Sequence, residues 1–140
     1  MAKFRIIEEG AFADYEFEAD ADTKENLFAI CGIAVFEAMT DVTKIQPAER
    51  IELEVTAEND TDLLYSFLAE LIYIKDTENV FLAKFELTFK EGFGLACSAY
   101  GEHIDRERHD LKTDVKAVTY HNFKFEKISS GYRAHVILDL

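Results

Sequence analysis

The feature that most limits what this chain can become is a change of hydrophobic period near residue 79. Up to that point two long apolar stretches repeat at helical spacing. After it, "NVFLAKFELTFK" and "GLACSAYGE" alternate around "EGFG", and "VKAVTYHNFKFEKI" and "YRAHVILDL" alternate around "SSG". Strict alternation sends neighbouring side chains to opposite faces, so these segments read as four strands in two hairpins. Near the start, "FADYEFEA" alternates too: Ala13, Tyr15, Phe17 and Ala19 point one way, and Phe12, Asp14, Glu16 and Glu18 the other.

Between these regions, "DTKE" offers Asp22 as a helix N-cap with Glu25 three residues on, ahead of Leu27, Phe28, Ile30, Cys31, Ala34, Val35 and Met39 at helical spacing. A helix over about 23–39 follows. Pro47 breaks the connection, and "RIELEVTA" sets Ile51, Leu53 and Val55 against Glu52 and Glu54 as a strand. A second helix over about 60–75 carries Leu63, Leu64, Phe67, Leu68, Leu71 and Ile72 on one face. The expected fold is α+β: a single domain over 1–140, with an antiparallel-rich sheet structure packed against two amphipathic helices.

A chain of 140 residues, 49% apolar, can bury one core without disulfides or metal. Its longest apolar run, "LFAICGIAVF", is too short to span a bilayer, and "MAKFRIIEEG" lacks the apolar centre of a signal peptide. Cys31 and Cys97 stand in separate apolar segments and read as buried small hydrophobes, which makes a reducing cytoplasm the expected location. The net charge of −13 repels phosphate backbones and favours cations and basic partners. Strong direct nucleic-acid binding is therefore not expected.

No nucleophile motif or phosphate-cradling glycine loop is present. His103 and His109 lie in the charged segment "HIDRERHDLKTD" and read as solvated, while His121 falls on the apolar side of its strand as a core histidine. Carboxylates are the better candidates. In the last strand Ala134, Val136, Leu138 and Leu140 form the apolar face, leaving His135, Ile137 and Asp139 opposite. If Ala117, Thr119, His121, Phe123 and Phe125 face the core, Asp139 pairs with Tyr120 across a four-residue turn or with Asn122 across a two-residue one. Asp14 and Asp139 would then sit on non-core strand faces, with the Leu140 carboxylate beside Asp139, an oxygen set suited to Ca²⁺, Mg²⁺ or Mn²⁺. Were the two strands neighbours, a bound divalent ion would relieve their repulsion. Locally, nothing distinguishes Asp14 from Glu16.

Over essentially its whole length the chain resembles the archease family, through "FADYEFEADADTKENLFAICGIAVFEAM", "LLYSFLAELIYIKD", "VKAVTYHNFKFEK" and the closing "LDL". The resemblance implies a non-catalytic accessory protein of the GTP-dependent RNA ligase that seals tRNA halves during splicing, promoting its guanylylation and multiple turnover. It also implies that Asp14, within "AFAD", and Asp139 hold a divalent cation together with Leu140; the hairpin register above adds Tyr120 and Asn122 as supporting neighbours. Ala11-Phe12 replaces the family's usual His-Thr before the first aspartate. Two other readings stand beside this one: a general chaperone-like modulator of tRNA-modifying enzymes such as methyltransferases, and a small metal-dependent phosphoesterase using the same carboxylates.

Overall fold

The computed structural model describes residues 2–7 and 14–140, Asp14 by its backbone alone. The expectations placed on Ala11, Phe12 and Ala13 fall outside the described residues. Among the described residues, seven strands and two α-helices run in the order β1 (Lys3–Ile7), β2 (Asp14–Ala21), α1 (Lys24–Glu37), β3 (Glu49–Thr56), α2 (Asp60–Glu78), β4 (Val80–Lys90), β5 (Gly94–His103), β6 (Ala117–Ile128) and β7 (Gly131–Asp139). The strands form two antiparallel sheets, ordered β1-β2-β7-β6 and β3-β5-β4. This is the α+β arrangement the periodicity predicts.

The helices explain how two sheets share one core. Along α1, Leu27, Phe28, Cys31, Gly32, Ala34, Val35 and Phe36 are all buried, which covers more than one face of a helix. Of the stripe expected of α1, Leu27, Phe28, Cys31, Ala34, Val35 and Met39 are buried and Ile30 is half-buried, and Gly32 and Phe36 widen it. The helix lies between the sheets, packing on β4 from one and on β2 and β7 from the other. Phe28 joins the layers: its ring meets Phe67 of α2 at 5.8 Å, Phe89 of β4 at 5.0 Å and Phe125 of β6 at 6.1 Å. Gly32 allows the close approach, because a Cβ there would lie 2.9 Å from the Phe85 ring of β4. In α2 the predicted residues Leu63, Leu64, Phe67, Leu68, Leu71 and Ile72 are all buried.

The caps fall one residue from where the capping pattern put the first. Thr23, not Asp22, caps α1 by accepting from the Asn26 amide at 3.1 Å, while the Asp22 carboxylate accepts from the Asn26 side chain at 2.9 Å. Asn59 caps α2 by accepting from the Asp62 amide at 2.8 Å, and Asn79 closes it in the left-handed region at φ 55°.

The expected register of the last hairpin is overturned. Ile128 pairs with Gly131 across a two-residue turn, but between Thr119 and Lys124 strand β6 advances five residues while β7 advances two. The extra residues form a bulge with Asn122 at φ 54°, a conformation asparagine tolerates. The core face changes parity across it: Val118 and Phe123 are buried, whereas Ala117 and His121 are exposed. His121 is thus not a core histidine.

His109 departs in the opposite sense. His103 is exposed as expected, but the His109 side chain is fully buried against Phe81. Its Nδ1 accepts from the Asp105 amide at 2.9 Å, so in the neutral ring Nε2 carries the hydrogen, 3.2 Å from Glu102 Oε2. Glu102 is itself buried, paired with Arg108, and accepts from the Gln46 amide at 2.6 Å. Nearby, Lys75 Nζ, 4% exposed, donates to Asp114 Oδ1 at 2.7 Å and Val115 O at 3.1 Å and lies 2.5 Å from Asp76. Burial opposes its charge, but these partners outweigh it and hold its pKa above the ordinary lysine value. Both cysteines are buried; burial pushes Cys97 up to about 12 and raises Cys31 as well.

Two outcomes follow. Phe28→Ala should cost about 3–5 kcal/mol in urea unfolding, because cavity and transfer losses fall on both sheets at once. Burial, then Arg108, hold the His109 pKa below its ordinary value of 6.5, so the unfolded chain binds the proton more readily. That contribution to stability is complete above about pH 6.5 and is lost as pH falls below it. In His109→Asn, which retains an acceptor for Asp105, the fall in unfolding free energy between about pH 6.5 and 5 should be shallower.

Candidate functional site

The centre of interest is the outer face of the β2–β7 pair. Their register runs from Asp14 opposite Asp139 to Ala21 opposite Tyr132. Phe17 and Ala19 on β2, and Ala134, Val136 and Leu138 on β7, are buried with no exposed surface, and this shared apolar face fixes the register. The opposite parity therefore carries Asp14, Glu16, Glu18 and Asp20 against Asp139, Ile137, His135 and Arg133.

Charge compensation along this face is uneven. At one end Arg133 Nε donates to Asp20 Oδ1 at 2.7 Å, and Arg5 of β1 reaches Asp20 at 3.4 Å and also pairs with Glu18. The Arg133 hydrogen bond, then its charge and that of Arg5, hold Asp20 below the ordinary carboxylate range. In the middle, His135 Nε2 lies 2.6 Å from Glu16 Oε2. At the far end two aspartates face each other, and among the described residues the Asp139 carboxylate makes no ion pair. Asp139 is exposed, and its carbonyl accepts from the Lys116 amide at 2.8 Å. Leu140 is half-buried against the core.

The register thus places the backbones of Asp14 and Asp139 together, from opposite ends of the chain. It does not place Tyr120 or Asn122 opposite Asp139, whose partner on β6 is Ala117. The supporting role expected of those two residues loses the pairing on which it rested. The Tyr120 hydroxyl donates instead to Asp62 of α2, its ring lies 4.9 Å from Tyr65, and Asn122 Nδ2 sits 3.3 Å from His121 Nε2. Among the described residues no group of three His, Cys, Asp or Glu is arranged to hold a metal; the Asp14 side chain lies outside that set.

Opposed carboxylates on a sheet repel, by a few tenths of a kcal/mol for an exposed pair. A hard divalent ion fits such a donor set, since it takes oxygen ligands only and cancels that repulsion. Sequence reasoning missed the graded compensation along β2, because Arg5 belongs to a strand, β1, that it did not single out. It also missed the buried Lys75 and Glu102, whose charges give no periodic signal.

The sequence profile of the Archease protein family (MTH1598/TM1083) matches residues 4–140. Curated relatives called protein archease include that of Pyrococcus abyssi, 37% identical over 91% of this chain and 93% of the relative, and that of Methanothermobacter thermautotrophicus, 38% identical over 91% and 93%. The solution structure of Methanobacterium thermoautotrophicum protein 1598 has a TM-score of 0.82 at 36% identity, covering 99% of this chain and 98% of that one. The crystal structure of a Thermotoga maritima archease, described as a possible chaperone, shares the fold with a TM-score of 0.64 at 21% identity, over 96% and 94%.

In metal-free buffer at neutral pH, Asp139→Asn should raise unfolding stability by about 0.5 kcal/mol through lost repulsion. Adding millimolar Ca²⁺ should stabilise the unsubstituted protein more than the variant; equal responses would detach Asp139 from cation binding.

Proposed function

The chain belongs to the archease family, and from that premise we propose that it is a non-catalytic accessory protein that activates a GTP-dependent tRNA-splicing RNA ligase, promoting its guanylylation and multiple turnover. The observation that carries the reading is the register of β2 on β7, which sets Asp14 opposite Asp139 at an exposed sheet end. Asp14, Asp139 and main-chain oxygen of Leu140 would hold Ca²⁺, Mg²⁺ or Mn²⁺. A divalent cation so held would neutralise phosphate charge and fix phosphate geometry in the ligase cleft.

The remaining work falls to the chain's own residues. The apolar faces of β2 and β7 keep the two aspartate positions in register, so little ordering is left for the moment of docking. The Lys116 amide holds the Asp139 carbonyl from the β6 side, which fixes the backbone of the strand's end. The net charge of −13 draws the protein toward a basic partner surface and raises the encounter rate at low salt.

A broader role, as a chaperone-like modulator of tRNA-modifying enzymes including methyltransferases, is the second reading, and the description of the Thermotoga maritima relative as a possible chaperone favours it. Pull-down from native lysate separates the two: one ligase supports the specific role, many enzymes the broad one. Phosphate release from generic phosphoesters with Mg²⁺ or Mn²⁺ alone would point to a phosphoesterase instead.

The direct test is multiple-turnover ligation with Asp14→Ala and Asp139→Ala protein shown to be folded. Each should reduce stimulated turnover by at least about tenfold, as loss of a metal ligand does. Full stimulation by both variants would remove the aspartates from the mechanism.

A further inference from the structure

Lys75, in the last turn of α2, is the charged residue that this helix buries, with a side chain 4% exposed. A buried ammonium is tolerated when each of its three donors is met. Here Asp114 Oδ1 lies at 2.7 Å, Val115 O at 3.1 Å and Asp76 Oδ1 at 2.5 Å. The two carboxylates neutralise the charge, but their side chains are 69% and 55% exposed, so water can serve them equally well. The third partner is different. Val115 is wholly buried, and among the described residues Lys75 Nζ is the donor that reaches its carbonyl.

That carbonyl belongs to the same peptide group as the Lys116 amide, which donates to Asp139 O at 2.8 Å. A trans peptide is planar, with its C=O and N–H pointing in opposite directions, so one rigid plate joins Lys75 on one side to Asp139 on the other. An ammonium on the carbonyl also polarises the plate and strengthens its N–H as a donor. The residues just before it are tied to the end of α1 instead of to the sheet: Lys112 N donates to Met39 O at 2.9 Å, and Lys112 Nζ to Glu37 O at 3.1 Å. Beyond the plate, Asp139 pairs with Ala117 of β6 and with Asp14 of β2.

We propose that Lys75 is a positioning residue for Asp139: its ammonium sets the orientation of the Val115–Lys116 peptide, and that peptide fixes the end of β7 opposite Asp14. Without the ammonium, the Val115 carbonyl is left buried with no donor and the plate turns to find water, which releases the Asp139 carbonyl. The bearing of this on cation binding rests on the accessory role proposed above. The positioning itself does not.

The test uses isotope-labelled full chain in metal-free buffer. Couplings through the hydrogen bonds should link Lys75 Nζ to the Val115 carbonyl carbon and Lys116 N to the Asp139 carbonyl carbon. Lys75→Met, which keeps the length of the stem and removes the donors, should abolish the second coupling and speed Lys116 amide exchange by at least about tenfold relative to Phe67 and Val136 in the core. Asp76→Asn, which leaves the bond to Val115 in place, should keep Lys116 exchange within about twofold of the unsubstituted protein. Equal acceleration of all three amides in Lys75→Met would mean that Lys75 only stabilises the fold, and would overturn the proposal, as would unchanged Lys116 exchange. Should Lys75→Met not fold, the couplings of the unsubstituted protein decide: both present sustain the proposal, and either one absent overturns it. In a Ca²⁺ titration, Lys75→Met should bind about tenfold more weakly, as loss of a group supporting a metal ligand does. Ca²⁺ binding that survives intact in Asp139→Ala would count against the accessory role, and would leave the positioning, read without metal or ligase, standing.

Discussion

The pairing of β2 with β7 is the constraint from which the rest of this structure follows. It inserts a strand from the beginning of the chain beside the last one, and its register is set by an apolar face that admits no slip. A one-residue slip of β2 would expose Phe17 and carry the acids of β2 inward while Val136 of β7 stayed inside. Packing energy thus determines where charge goes. The outer face is a by-product of the inner one, and the opposition of Asp14 and Asp139 at its end is tolerated because the apolar face outweighs repulsion between like charges.

The second requirement is that two sheets share one interior. A helix that met only one of them could be polar on its far side. Here α1 meets both, so it is apolar nearly all round, and the aromatic contacts of Phe28 run through it from sheet to sheet. Apart from the buried Val115 and the half-buried Ile104, the long connection between β5 and β6 has no such apolar content. Buried ions hold it instead: Glu102 with Arg108 and His109 near its start, Lys75 with Asp114 and Val115 near its end. The buried Glu102 and Lys75 are each satisfied by several partners, so the loss of any one weakens the hold on a charge that has little access to water.

Much of this was legible in the residues. The stripe of α2, the alternation of β2, and the turn positions of both late hairpins follow from periodicity and appear where they were read. Asp14 and Asp139 were legible as non-core strand residues; that their strands are neighbours was not, because pairing between distant strands leaves no local mark. Facing assignments failed where alternation was carried through the bulge in β6, which put His121 inside and Asp139 opposite the wrong partner. His109 was misread because a charged stretch of sequence can still turn one polar ring inward when a carboxylate and an amide await it. The α1 cap was misplaced because Asp22 and Thr23 are adjacent and both suited to capping.

The separation in sequence of the two site strands has a kinetic consequence. The Glu16–His135 contact alone spans 119 positions, among the most remote closures in the chain, and such closures are rewarded only after the helices and local hairpins exist. The acidic end of the sheet is therefore among the last features to assemble. A ribosome-bound or half-folded copy keeps Asp14 and Asp139 apart, so their juxtaposition reports that maturation of the whole molecule is complete.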